Sequence, residues 1–184
     1  EHLKDARPDV RLAAINASNF TTNTSTTISN DLIYSNSSYG IYTIGQTGWL
    51  VTGNSIHDTS NSGGGGIVFL NCENNTFTNN ILFNNPGFGI EAQVLGGYAS
   101  TISGNTADAN GTGIYASGNA TVSGNIVFSN SAYGIQAANG PLIVDNTVYK
   151  QTAGAASMGI YINGGEAQGN TVYDNYVGIG SDNG

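Results

Sequence analysis

Along most of this chain apolar residues alternate with polar ones in short pieces, and Gly, Asn, Ser or Asp separates one piece from the next. Period-two alternation over stretches this short marks half-buried β-strands. The separators tolerate left-handed backbone, so they mark sharp and frequent turns.

The pieces repeat. Thr-Val-Ser-Gly-Asn-Ile-Val-Phe-Ser-Asn at 121–130 matches Thr-Ile-Ser-Gly-Asn-Thr-Ala-Asp-Ala-Asn at 101–110, and 77–85 and 167–175 keep the same frame. The frame recurs seven times at a period of 20–26 residues, which is the mark of a solenoid. One polar row runs Asp31, Asn54, Asn80, Asn105, Asn125, Asn146 and Asn170, and five residues later a second runs Asn36, Thr59, Asn85, Asn110, Asn130, Gln151 and Asn175. Each first-row residue is then followed by a Gly-Ile step, at Ile41, Ile67, Ile90, Ile114, Ile135, Ile160 and Ile179.

Three strands per coil are expected. The inward row of the first is Ile28, Val51, Phe77, Ile102, Val122, Ile143 and Ala167; that of the second is Ile33, Ile56, Leu82, Ala107, Val127, Val148 and Val172; the Ile row belongs to the third. Coils stacked in parallel rise by about 4.8 Å, so equivalent residues lie directly above one another. Stacked Asn side chains then hydrogen-bond from turn to turn and satisfy buried backbone groups. Helix-pair solenoids are excluded by the β-branched content and the Gly-Asn pairs, and collagen by the spacing of Gly.

Residues 1–27 fall outside the frame and are a cap, a partial coil or a linker; repeats occupy 28–184. The chain closes on Asn183-Gly184 inside its seventh coil without a capping helix, so a piece of a longer solenoid is expected.

Composition narrows the function. The chain has 184 residues, 27 Gly, 25 Asn and a net charge of -8. Lys4, Arg7 and Arg11 are balanced by Glu1, Asp5 and Asp9, which leaves Lys150 as the one cation of the body. Such a surface repels nucleic-acid phosphates, and it gives an anionic polysaccharide little to hold. Cys72, the lone cysteine, forms no intrachain disulfide and reads as a small buried thiol. No apolar run is long enough to span a membrane.

The stretch Gly-Asn-Thr-Val-Tyr-Asp-Asn-Tyr-Val-Gly-Ile at 169–179 resembles the repeat of the right-handed parallel β-helix family. That resemblance implies an all-β, right-handed parallel β-helix of about seven coils, on the scaffold shared by pectate lyases, polygalacturonases and mannuronan epimerases. Their chemistry does not come with it. Where a polygalacturonase-like Asn-Thr-Asp would place a catalytic carboxylate, Asn-Thr is followed by Ser25, Phe77, Ala107, Val148 or Val172, and there is no Gly-His-Gly. Lyases and epimerases need a base and a cation beside a uronate carboxyl, yet the body has no Arg, and no Pro precedes a His.

One pair remains, His57 beside Asp58, opposite the Asn61–Gly66 loop. His57 is either a general base oriented by a carboxylate or one ring in the row Tyr34, Phe83, Phe128, Tyr149 and Tyr173, which Asp108 also interrupts; the second reading is preferred.

No catalytic residue, metal ligand or cofactor is assigned. The expected function is a non-catalytic extracellular or cell-surface scaffold that binds neutral glycan or a neighbouring protein. The residue after each row Ile points outward, giving Tyr42, Val68, Glu91, Tyr115, Gln136, Tyr161 and Gly180, with Tyr42, Glu91, Tyr115, Gln136 and Tyr161 as candidate glycan contacts. The alternatives are a fragment of a carbohydrate-active enzyme with its active site elsewhere, and ice binding through Thr27-x-Ser29, Thr76-x-Thr78, Thr101-x-Ser103 and Thr121-x-Ser123.

Overall fold

The computed structural model describes residues 26–152 and 154–181. Among the described residues, twenty-one strands form three parallel sheets of seven strands each, and every sheet takes one strand from each tier. The first sheet runs from Thr27–Ser29 to Glu166–Gln168, the second from Leu32–Tyr34 to Thr171–Tyr173, and the third from Tyr39–Ile44 to Val177–Gly180. Six full turns thus separate the first and last strands of each sheet.

Register follows the repeat without a slip in the three rows read from the sequence, and the third sheet shifts only between Phe69 and Cys72, past the Ile row. Ile28 pairs with Val51 and so on to Ala167, Ile33 with Ile56 and on to Val172, and Ile41 with Ile67 and on to Ile179. Ile67, Ile90, Ile114, Ile135 and Ile160 are all fully buried. Burial stops at the seventh tier, where Ala167 and Val172 are half-buried and Ile179 is 52% exposed, because no described coil lies on it.

Both polar rows are ladders. Backbone N–H groups of Asp31, Asn54, Asn80, Asn105, Asn125 and Asn146 each donate to the Oδ1 of the next row member, across 23, 26, 25, 20, 21 and 24 residues. Asp31 enters through its backbone N–H, which does not require an amide side chain. The side-chain Nδ2 groups donate to strand carbonyls of the coil before, as from Asn105 to Phe77 and from Asn125 to Ile102. The second row repeats the scheme from Thr59 through Asn85, Asn110, Asn130 and Gln151 to Asn175.

The residue before each ladder position has positive φ: Asn30, Gly53, Asn79, Gly104, Gly124, Asp145 and Gly169 in one turn, and Ser35, Asp58, Asn84, Ala109, Ser129, Lys150 and Asp174 in the other. The left-handed residue bends the chain so that the next side chain points inward along the stack.

The Gly of the Gly-Ile step has a different cause, since its φ is not positive. A Cβ on Gly113 would lie 2.5 Å from Val127 Cγ1 and 2.7 Å from the Gly134 carbonyl oxygen. The second and third sheets meet there too closely for any side chain, and Gly40, Gly66, Gly89, Gly134 and Gly159 show the same crowding. Differences in coil length therefore appear only outside the ladders, as in the turn at Asn61–Gly64 and the 3-10 turn Gly154–Ala156.

Candidate functional site

Three outer faces carry the candidate residues, and the third sheet carries most of them. Its register places Tyr115, Gln136 and Tyr161 on consecutive tiers, with Glu91 below and Tyr42 and Val68 below that. The row is less open than expected. Tyr42, Glu91, Tyr115 and Gln136 are half-buried, whereas Val68 is 1% and Tyr161 9% exposed.

Ring contacts account for much of that covering. A second outward row, three residues earlier in each strand, holds Tyr39, Phe88 and Tyr133. Tyr39 stacks on Tyr42 at 4.5 Å between centroids, Phe88 tilts against Tyr115 at 5.8 Å, and Tyr133 stacks on Tyr161 at 5.2 Å. The sequence signal for these partners was the residue before the Gly of each Gly-Ile step. Pairing fixes each ring and lowers the entropy cost of using it as a platform.

Between the aromatic pairs, Gln93 Nε2 donates to Glu91 Oε1 at 2.7 Å. Burial pushes the Glu91 carboxyl above the usual range, and the Gln93 amide opposes this. A carboxyl whose folded value is raised adds stability that is fully present below the unfolded value and lost as pH rises through the folded one. Glu91→Gln is therefore expected to flatten the decline in melting temperature on going from about pH 4 to pH 8. A variant that melts lower than wild type at neutral pH would instead make the carboxylate a net stabiliser.

On the second sheet, His57 Nδ1 lies 2.8 Å from Asp58 Oδ2, as a general-base reading would want. The ring, however, is stacked on both faces, 5.4 Å from Tyr34 and 4.3 Å from Phe83, with interplanar angles of 11° and 15°. His57 is a member of the aromatic row, and Asp58 occupies one of the left-handed turn positions.

The first sheet aligns Thr76, Thr101 and Thr121 in one outward row and Thr52, Thr78, Ser103 and Ser123 in the next. Leu50 and Leu142 bound the first of these rows, and Thr78 Oγ1 donates to Thr52 Oγ1 at 3.0 Å. The regular hydroxyl block is thus three tiers deep. Among the described residues no group of three His, Cys, Asp or Glu is placed to hold a metal ion, and no helix is long and apolar enough to cross a membrane.

A family model described as "Right handed beta helix region" matches residues 13–153. No curated protein and no solved structure matches the chain.

Proposed function

The chain belongs to the right-handed β-helix family, and from that premise we propose that it is a non-catalytic scaffold whose third sheet binds neutral, chain-like glycan outside the cell or at its surface. The observation that carries this reading is the outer face of that sheet, where three aromatic pairs, Tyr39–Tyr42, Phe88–Tyr115 and Tyr133–Tyr161, follow one another along the solenoid. Apolar ring surface meets the C–H faces of sugars, and Glu91, Gln93 and Gln136 supply partners for hydroxyls. The half-buried rings Tyr42 and Tyr115 lie three tiers apart, about 14 Å, a span that a short run of sugar units bridges. An elongated ligand suits a site that repeats along an axis.

Charge favours a neutral polymer over a uronate, because the body is acidic and Lys150 is its one cation. The non-catalytic part of the reading is supported by the His57 ring, which is held between two others rather than presented to a substrate.

Retention on neutral polysaccharides in affinity electrophoresis tests the proposal. Tyr161 is a poor probe because it is buried. Tyr42→Ala combined with Tyr115→Ala is expected to abolish retention and to move the melting temperature by only a few degrees, since both side chains are outside the core. Retention equal to wild type would overturn the glycan reading.

A further inference from the structure

The outer face of the second sheet carries a feature that the glycan reading does not use. Its aromatic row runs in register through Tyr34, His57, Phe83, Asp108, Phe128, Tyr149 and Tyr173, so one tier holds a carboxylate where its neighbours hold rings. Phe83 is parallel to His57 within 15°, Phe128 to Tyr149 within 7°, and Tyr149 to Tyr173 within 4°. Rings stacked this way turn their edges to solvent and cover one another's faces. Inside the row, the two faces that look at each other across Asp108 are the exception.

We propose that the gap at Asp108 is a binding notch for a quaternary ammonium group, held between the faces of Phe83 and Phe128 over the Asp108 carboxylate.

Spacing supports this first. Phe83 and Phe128 are one tier either side of Asp108, so their planes are separated by about 9.6 Å, and a group midway lies about 4.8 Å from each. Cations are attracted to ring faces within about 6 Å of the centroid. Asp is shorter than Phe, so the outer part of its tier is open.

Charge comes next. The Asp108 carboxyl is pushed upward by burial, with the Ala109 N–H opposing, and a bound cation would relieve that cost. Lys150, in the turn row that holds Ala109, places its Nζ 5.9 Å from the Tyr149 ring, two tiers from Asp108.

Shape then selects among cations. On the same face the notch is flanked by Ile81, Thr106 and Ile126, and both Ile residues are about half exposed. Methyl groups pack favourably against such a rim, whereas a primary ammonium needs several acceptors and finds one carboxylate. A flat guanidinium would fill about half the width left between the ring surfaces, while a rounded trimethylammonium group fills it.

Titration of the protein with choline chloride, followed by amide chemical shifts, tests the notch. Saturable millimolar-range shifts confined to the neighbourhood of Phe83, Asp108, Ala109 and Phe128 are expected, and the neutral isostere 3,3-dimethylbutan-1-ol should bind at least tenfold more weakly. Asp108→Phe, which completes the row, should abolish binding without lowering the melting temperature. Asp108→Asn keeps the shape, removes the charge and should weaken binding about tenfold, which covers the case in which the Phe variant does not fold. Phosphatidylcholine vesicles separate the two sources of the group. Co-sedimentation of wild type but not of the variants assigns a lipid headgroup, and choline shifts without co-sedimentation assign a free cation. Either result supports the notch. Absent choline shifts in wild type, undiminished shifts in the variants, or equal binding of the neutral isostere would overturn it.

Discussion

Replacing Ile114 by Asp is expected to leave no cooperatively folded protein. Ile114 is fully buried in the middle tier, directly between Ile90 and Ile135 on the third sheet. The substitution removes a core side chain, which alone costs about 2–5 kcal/mol, and adds a carboxylate with no cation in the core to pair with, which costs several more. Their sum rivals the whole stability of an ordinary domain, about 5–15 kcal/mol. Each coil of a solenoid rests only on its neighbours, so a break in the fourth tier parts the three below from the three above. Ile114→Val, which keeps the shape and loses one methyl, should stay folded and lose about 1 kcal/mol. Circular dichroism against temperature separates the two: a sigmoidal transition for Val, none for Asp. Cooperative melting of the Asp variant would sink the assignment of the Ile row to the core.

The inward rows were legible in the sequence because stacking keeps every member of a row apolar, and in the third row identical. Ile90, Ile114 and Ile135 face the same surroundings one tier apart, so the same residue is selected each time, and the eye finds the period. The ladders were legible for the same reason, although their donors and acceptors were not; which carbonyl Asn105 Nδ2 reaches depends on the bend made by Gly104 before it. A shorter third ladder went unread. Trp49 N–H donates to Asn75 Oδ1 and Asn75 N–H to Ser100 Oγ, with three residue types in three tiers and hence no repeat to notice.

Outer faces are a different matter. Nothing in the stacking requires Tyr42, Glu91 or Gln136 in particular, so their alternation gives direction but not environment. That Tyr161 is buried depends on Tyr133, which belongs to another position of the repeat, and the alternation did not tell that Val68 is nearly sealed. The row containing His57 shows the reverse case. Direction and residue type together foretold parallel rings, because bulky flat side chains one strand spacing apart have room for little else.

Asn105→Ala tests the ladder at a buried tier near its middle and is expected to cost on the order of 3 kcal/mol. The Asn105 side chain accepts from the backbone N–H of Asn80 at 2.9 Å and from Asn80 Nδ2 at 3.0 Å, and it donates to the carbonyls of Phe77 and Ser103 and to Asn125 Oδ1. Alanine removes all of these at a position 1% exposed, where water does not replace them. Asn80 Nδ2 keeps its bond to the Val51 carbonyl, and the Phe77 carbonyl stays in the parallel ladder, so the group left without a partner is the backbone N–H of Asn80. Each buried polar group left unpaired costs about 1–3 kcal/mol. The backbone N–H at position 105 would still donate to Asn125 Oδ1, because that bond does not involve the deleted side chain. Damage is therefore confined to the coil before, and the tiers beyond Asn125 should keep their hydrogen-exchange protection. Asn125→Ala should behave alike one tier later, freeing the Asn105 N–H. Asn119→Ala, an exposed site whose amide reaches only the Gly97 carbonyl, serves as the control and should shift stability by less than about 0.5 kcal/mol. Urea titration with an unchanged slope measures all three. If Asn105→Ala fell within the range of Asn119→Ala, the ladder would be a consequence of the stacked turns rather than a cause of their stability.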